Sequence, residues 1–475
     1  MAGVFFTAGE TKKRPGVYNR YENKGGAGVV GAQDGIVAVI GEFNWGELNK
    51  VVDVNSIEQA KECFGIDGGA GYDVISEVFA GGAKTARVVR VGSGGTKASH
   101  IIKDDKGADA IQIVAKSVGA FGFSTQIGFV AGSSAFQEFR LYRGATLIEK
   151  FHYPAYMPCS QFVAKYGKNS KYVDFTFVDG YDTYQESCAE CYAETPMTEG
   201  TNPTVKTGDY STALTALEPY RWNSLCLNTV DAAVHELVAA YMTRVYQDGK
   251  TGFAVLGSQI TQLLEDRMED AAAYNDYKIV YVGGGWYDTS DVLIDGARAA
   301  ARIAGMVAAT PSTRSLTHMA ISGADRPAEM LTNSQYESTI DSGMLTFSYS
   351  PKGGVWIESG VTTLVNLSGE DDEGWKKIKR TKIRFELMDR VNDSVASLIG
   401  TINNDEDGRA TIIQVVQGVL NAMVYEKKLF NGATVALDSG NAPVGDSAWF
   451  VIQADDIDSL EKVYFTYRFR FAINS

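Results

Sequence analysis

The sequence predicts an α/β multidomain protein: a layered α/β core, an inserted β-rich, barrel-like domain, an α+β C-terminal domain, and extended N- and C-terminal arms. Three observations carry this. Apolar strand-like runs alternate with amphipathic helical stretches on both sides of residues 96–203, the rhythm of parallel strands joined by helical crossovers. Within 96–203, short alternating runs separated by Gly and Ser turns take over. Both ends carry extended pieces set apart from the body. At 475 residues the chain also exceeds what one hydrophobic core organises. We therefore divide it into an arm at 1–25, a discontinuous core at 26–95 and 204–361, the insertion at 96–203, an α+β domain at 362–461 and an arm strand at 462–475.

The elements follow in order. Residues 11–16, with Arg14, Pro15 and Gly16, read as a turn; an extended piece at 17–22 contains Val17, Tyr18, Asn19, Arg20 and Tyr21. A glycine-rich hinge at 25–31 separates this arm from the body. The first buried strand is expected at 36–40, then a helix opened by a capping box of Ser56 and Gln59 and closed at Gly65. A helix around Val74, Ile75, Val78 and Phe79 leads to a strand at 86–91. In the insertion, strands are expected at 110–115, 124–130, 136–142 and 172–178. Strands at 223–227, 253–257 and 278–282 then alternate with helices at 232–246 and 260–274. A small-residue helix at 292–309 stops before Pro311, and Ser334 with Glu337 forms another capping box ahead of Gly343. Two long helices at 375–402 and 410–428 and strands at 434–437 and 449–453 follow. The last element, 462–473, alternates: Val463, Phe465, Tyr467, Phe469, Phe471 and Ile473 share one face, with Tyr464, Thr466, Arg468 and Arg470 on the other.

Composition excludes several function classes. A formal net charge of −14 opposes broad nucleic-acid binding, which needs a basic surface to displace phosphate counterions. Fifty glycines against ten prolines fit tight turns and not a Pro-rich disordered chain. No run of about 18 apolar residues is present, so a membrane-embedded protein is not expected. The start, Met1 to Phe6, lacks the basic segment and long apolar stretch of a secretory signal. Five scattered cysteines do not make a disulfide framework, and folding in a cytoplasm is expected.

Four patterns suggest chemistry, and each has an ordinary explanation that we favour. Cys188 and Cys191 form a CxxC, but neither a strand-to-helix redox context nor a second zinc ligand pair accompanies it beyond Cys159 and His152. Asn403, Asp405, Asp407, Gly408 and Gln414 fall on calcium-loop positions, yet two expected charges are missing; capping by Asp405 and Asp407 suffices. Gly283, Gly284 and Gly285 follow a strand, where an α/β enzyme would bind a nucleotide, without a GxGxxG or a Gly-Lys-Ser/Thr. The histidines His100, His152, His235 and His318 are far apart. No catalytic residue, cofactor or metal ligand is expected. The terminal strand is different: it can add to another molecule's sheet edge, and on pattern alone it can equally be an ordinary strand in its own domain's sheet.

Ordered motifs add a resemblance. Lys13, Arg14, Pro15, Gly16, Val17 and Tyr18; Arg314 to Thr317 followed by Leu331 to Ser334; Ile357 to Leu364; Asn403 to Arg409; and Asp458 to Tyr464 resemble, in sequence order, the sheath proteins of contractile phage tails, in the form found in Gram-positive phages and prophages. The resemblance implies a structural subunit of hexameric rings stacked helically around a tail tube, ending at a baseplate and a tail terminator. It implies a virion component assembled in the host bacterial cytoplasm, and equally a bacteriocin-like or other injection particle. Arms from neighbouring copies would share one sheet, and contraction would consume no nucleotide. The assembly residues expected are Val17, Tyr18, Asn19, Arg20, Tyr21, Val463, Phe465, Tyr467, Arg468, Phe469, Arg470 and Phe471. Lys376, Lys377, Lys379 and Arg380 beside the acidic run 370–373 are further candidates for contacts between copies.

Overall fold

The structure, a computed structural model, describes residues 4–5, 18–19, 35–65, 70–182, 184–198, 200–369 and 371–470. It divides into two compact units, Met1–Ala32 with Glu386–Asp455, and Gln33–Phe385 with Asp456–Ser475.

The larger unit is built on a seven-stranded sheet ordered Met344–Leu345, Ile279–Val282, Phe253–Gly257, Ser224–Leu227, Ile36–Gly41, Thr85–Arg90 and Val51–Val54. All neighbours are parallel except Val51–Val54, which runs antiparallel at the edge. The strands are apolar on both faces because helices cover both. Val37 and Val39 pack into the layer that includes Val78, Ala301 and Ile303, while Ala38 and Ile40 face the layer of Leu214, Val238 and Met242. The strand period of two thus sorts consecutive residues into opposite cores.

Helix Gly296–Ala309 packs against helix Ala70–Ala80. A Cβ placed on Gly305 would lie 2.2 Å from the Val78 carbonyl oxygen, so the small-residue composition of this helix is a close-approach requirement. The helix begins at Gly296, later than its apolar pattern suggests, because Leu293–Ile294 pair as a strand with Trp286–Asp288. Lys382 Nζ ends it by donating to the carbonyls of Val307, Ala308 and Thr310. Helix Leu264–Tyr274 likewise starts four residues later than expected. Helix Asn333–Asp341 is capped by Thr332 and Gln335, not by Ser334 and Glu337. Both pairs satisfy the same sequence rule, and the chain uses the earlier one, whose Gln335 Oε1 accepts from the Thr332 N–H at 2.9 Å. Ser56 caps as expected, while Gln59 reaches back to the Asn55 N–H.

Residues 99–196 form two antiparallel sheets, and this corrects the barrel-like expectation. One is ordered Thr146–Pro154, Phe136–Arg143, Phe123–Phe129, Cys191–Pro196; the other Val173–Phe177, Asp109–Ala115, Ser99–Lys103. Helix Cys159–Tyr166, also unforeseen, supplies Phe162, whose ring meets Phe139, Tyr153 and Phe175 at centroid distances of 5.2–6.4 Å. These rings fill the space between the sheets. The chain enters and leaves through a neck in which Ser93 pairs with Thr204 and Thr96 with Thr201. Beside the neck, fully buried Arg90 donates to the carbonyls of Phe43 (2.8 Å), Gly46 (2.6 Å) and Val118 (2.7 Å). Burial pulls its pKa down to about 10.

The smaller unit contains helix Glu406–Tyr425, the later part of helix Ile378–Ala396, and a hairpin of Thr434–Leu437 with Phe450–Gln453. The long helix expected at 375–402 is shorter, preceded by a 3-10 turn at Glu373–Lys376. The next begins at Glu406, because Asp405 accepts from the Gly408 N–H at 2.8 Å. Buried Glu386, Arg390 and Lys428, with Glu426, form one charge network.

Candidate assembly surface

The distinctive feature of the C-terminal segment is an abrupt change of environment after Glu461. Up to that residue the chain is tied down. Arg380 holds Asp456 with Nε at 2.5 Å and Nη2 at 3.0 Å, and Arg384 Nη2 adds a third bond at 2.9 Å. Lys377 Nζ donates to Asp458 at 2.7 Å and to Glu461 at 3.0 Å. The other Glu461 oxygen accepts from Ser315 Oγ (2.8 Å) and Thr317 Oγ1 (3.1 Å). Lys377, Arg380 and Arg384 lie at spacings of three and four, which brings them to one side of the helix and the turn before it. Arg384 also stacks on Trp375.

Electrostatics agree with this geometry. Burial pushes the Asp456 carboxyl up, but hydrogen bonds and charge from Arg380 and Arg384 outweigh it and leave the group below the usual range. Burial opposes the Lys377 ammonium, yet Asp458 and Glu461 raise its pKa overall.

Beyond Glu461, residues 462–470 are all exposed and pair with no strand among the described residues. Tyr464, Phe465, Tyr467 and Phe469 are 74–92% exposed, so among the described residues neither face of the alternating pattern is covered. The Phe465–Tyr467 and Tyr467–Phe469 ring separations of 6.3 and 6.4 Å match the two-residue repeat of an extended chain, about 6.6 Å. Val463, Arg468 and Arg470 lie on this same segment.

A second feature has complementary chemistry. The hairpin Thr434–Leu437 with Phe450–Gln453 is, among the described residues, a sheet of two strands, with Trp449, Val451 and Ile452 exposed. Such a pair is marginal in water alone, and its outer edges offer unpaired backbone groups. At the N-terminus, Val4–Phe5 and Tyr18–Asn19 form a two-stranded parallel pair. The expected arm residues Val17, Arg20, Tyr21 and Phe471 lie outside the described residues.

The other patterns are used locally. The room beside the 283–285 glycines is taken by the chain itself: a Cβ would meet Met344 Sδ at 2.0 Å at Gly283, Phe347 at 3.0 Å at Gly284 and the Ile294 carbonyl at 2.6 Å at Gly285. The Gly283 carbonyl accepts from buried Arg267, itself paired in two bonds of 2.7 Å with Glu329. Cys188 Sγ lies 3.8 Å from Cys159 Sγ, both buried. Asp405 is a helix cap, and Asn404 donates to the Gly445 and Ser447 carbonyls. Lys377 and Arg380 are engaged within the chain and not left for a neighbour, while Lys376 pairs with Glu373 at 3.2 Å. Among the described residues no group of three or more His, Cys, Asp or Glu is placed to hold a metal ion, and no helix is long and apolar enough to cross a membrane.

Residues 204–363 match the phage tail sheath protein central domain, and residues 35–91 match the N-terminal region of domain III of the tail sheath protein Gp18. The uncharacterised protein YqbK of Bacillus subtilis is 21% identical, with 98% of this chain and 99% of that protein covered. The tail sheath protein of Clostridium phage phiCD119 is 21% identical, over 57% of this chain and 70% of its own. The fold is shared with the sheath tail protein of Desulfitobacterium hafniense (TM-score 0.70, 19% identity, 93% and 100% covered). It is also shared with that of Listeria innocua (TM-score 0.69, 17% identity, 90% and 96% covered). The contracted helical sheath of the anti-feeding prophage has the same fold at TM-score 0.57 and 8% identity, with 96% and 99% covered. Residues 35–91 and 204–363 are thus similar to tail sheath domains, the family that the ordered motifs resemble.

Proposed function

We propose that this chain is the repeating subunit of a contractile sheath. It polymerises as stacked six-membered rings around a tail tube, and contraction drives that tube through the host envelope. The observation that carries the reading is the terminal segment 462–470: clamped at its root, exposed on both faces, and matched in the same chain by a two-stranded hairpin with open edges. One copy's segment adds to the hairpin edge of the next. Backbone hydrogen bonds hold the two together, and side chains at alternate positions set register. A donor and an acceptor on different surfaces form a heterologous contact, which propagates into a helical array.

Contraction follows as a rigid-body rearrangement. Subunits linked through extended segments exchange one set of body contacts for another while staying attached, and energy is stored in the difference between the two packings. The chain itself is the structural material and performs no catalysis. Its further partners are the tail tube, the baseplate and the tail terminator, its place is the virion tail, and assembly occurs in the host bacterial cytoplasm. The same arrangement serves a bacteriocin-like or injection particle equally well.

The test is truncation. Removing residues 463–475 leaves a folded, monomeric protein that forms no tubes in negative-stain microscopy, whereas the full chain forms long hollow rods. Normal rods from the truncated chain would overturn the reading.

A further inference from the structure

We infer that Lys377, Arg380 and Arg384, with Ser315 and Thr317, are positioning residues for the assembly strand: they clamp residues 456–461 so that all freedom of the arm begins at Lys462. The inference rests on reading the residues beyond 462 as the linking strand. The ionic clamp itself was not foreseen from the motifs.

Attachment of 456–461 is ionic and not apolar. Its two large apolar residues are Ile457, which is half-buried, and Leu460, which is 86% exposed. The three carboxylates carry the contact instead. The Asp456 side chain is only 7% exposed and meets two guanidinium groups. Glu461 is satisfied on both oxygens, one by Lys377 and the other by Ser315 and Thr317. Thr317 Oγ1 in turn accepts from the Gly360 N–H at 3.0 Å, so the hydroxyl is held by backbone. Charge-assisted bonds of this kind are directional as well as strong, and they fix the path of the chain at several points within six residues.

The consequence is a defined reach. Residues 462–470 span about 30 Å when extended. Releasing 456–461 would add roughly 20 Å and dilute the strand over a larger volume, lowering its effective concentration at a neighbour's edge. A clamp that stays shut while subunits reorient keeps each strand directed at one neighbour, and the pivot falls at the Glu461–Lys462 junction.

The test uses the full chain. D456N with E461Q removes two of the three anionic partners at nearly constant shape, leaving Asp458, and K377R keeps the charge. Tryptic cleavage after Lys462, followed by intact mass, reports on the clamp before any assembly, because a protease must draw residues on both sides into its cleft. Cleavage of the double variant is expected to accelerate about tenfold, with the melting temperature of the body unchanged and tubes fewer and irregular. K377R is expected to match wild type in both. Unchanged cleavage, or faster cleavage with wild-type tubes, would overturn the clamp. These outcomes are separate from the truncation of 463–475: rods from the truncated chain sink the linking-strand reading, while the cleavage rate judges the clamp alone.

Discussion

Arg90 shows how much a single side chain can organise here. Its guanidinium is fully buried and bonds three carbonyls from two separate loops. Arg90→Met would leave those carbonyls unpaired in a dry site, and we expect a loss of at least about 3 kcal/mol, read as a lower denaturant midpoint, with Arg90→Lys recovering part of it. In the sequence Arg90 is one residue of the strand read at 86–91, so its position was legible and its burial was not. Glu426 gives a prediction in pH. A hydrogen bond from Arg390, aided by Lys428, lowers its pKa to about 2, below the ordinary value of about 4.3. A depressed carboxylate stabilises above its unfolded pKa and loses that contribution as pH falls through the folded value. The stability gap between wild type and E426Q should therefore shrink between about pH 5 and about 2, as followed by denaturation at each pH.

Among the elements, the two registers for the cap of helix Asn333–Asp341 can be separated directly. Thr332→Ala should destabilise by about 1 kcal/mol, while Ser334→Ala, whose hydroxyl caps nothing, should stay within about 0.5 kcal/mol; thermal unfolding of the two variants decides. The strands of the parallel sheet were readable because apolar runs bounded by turns have few other uses. Helix Cys159–Tyr166 was missed although Cys159, Phe162, Val163 and Tyr166 fall at helical spacing, since eight residues among strands give a weak period. The short strands Leu293–Ile294 and Val51–Val54 were missed for a related reason: their identity lies in a partner distant in sequence and not in their own pattern.

At the scale of the molecule, the acidic segment 456–461 is what separates body from arm. Its ties involve one partly exposed pair, Lys377 with Asp458, and one nearly dry site, Asp456 with Arg380 and Arg384. Salt screens exposed pairs far more than buried ones. Raising ionic strength to about 1 M should therefore loosen the Lys377 end, with tryptic cleavage after Lys462 rising in wild type and less in K377A, which has already lost that tie. The basic residues Lys377 and Arg380 were visible in the sequence as a cluster beside acidic 370–373, and their actual partners lie some 75 to 85 positions away, at Asp456, Asp458 and Glu461.

The sequence by itself determined the layered α/β core, the β-rich insertion and the alternation of the last residues, because backbone periodicity and turn chemistry are local. Its ordered motifs also carried the resemblance to tail sheaths. Only the tertiary structure decided that the glycines at 283–285 admit Met344, Phe347 and the Ile294 carbonyl, that the insertion is two sheets around Phe162, and that 462–470 pairs with no strand among the described residues. Those facts depend on which distant residues meet, and an alternating strand looks the same in sequence whether its partner lies in the same chain or in the next.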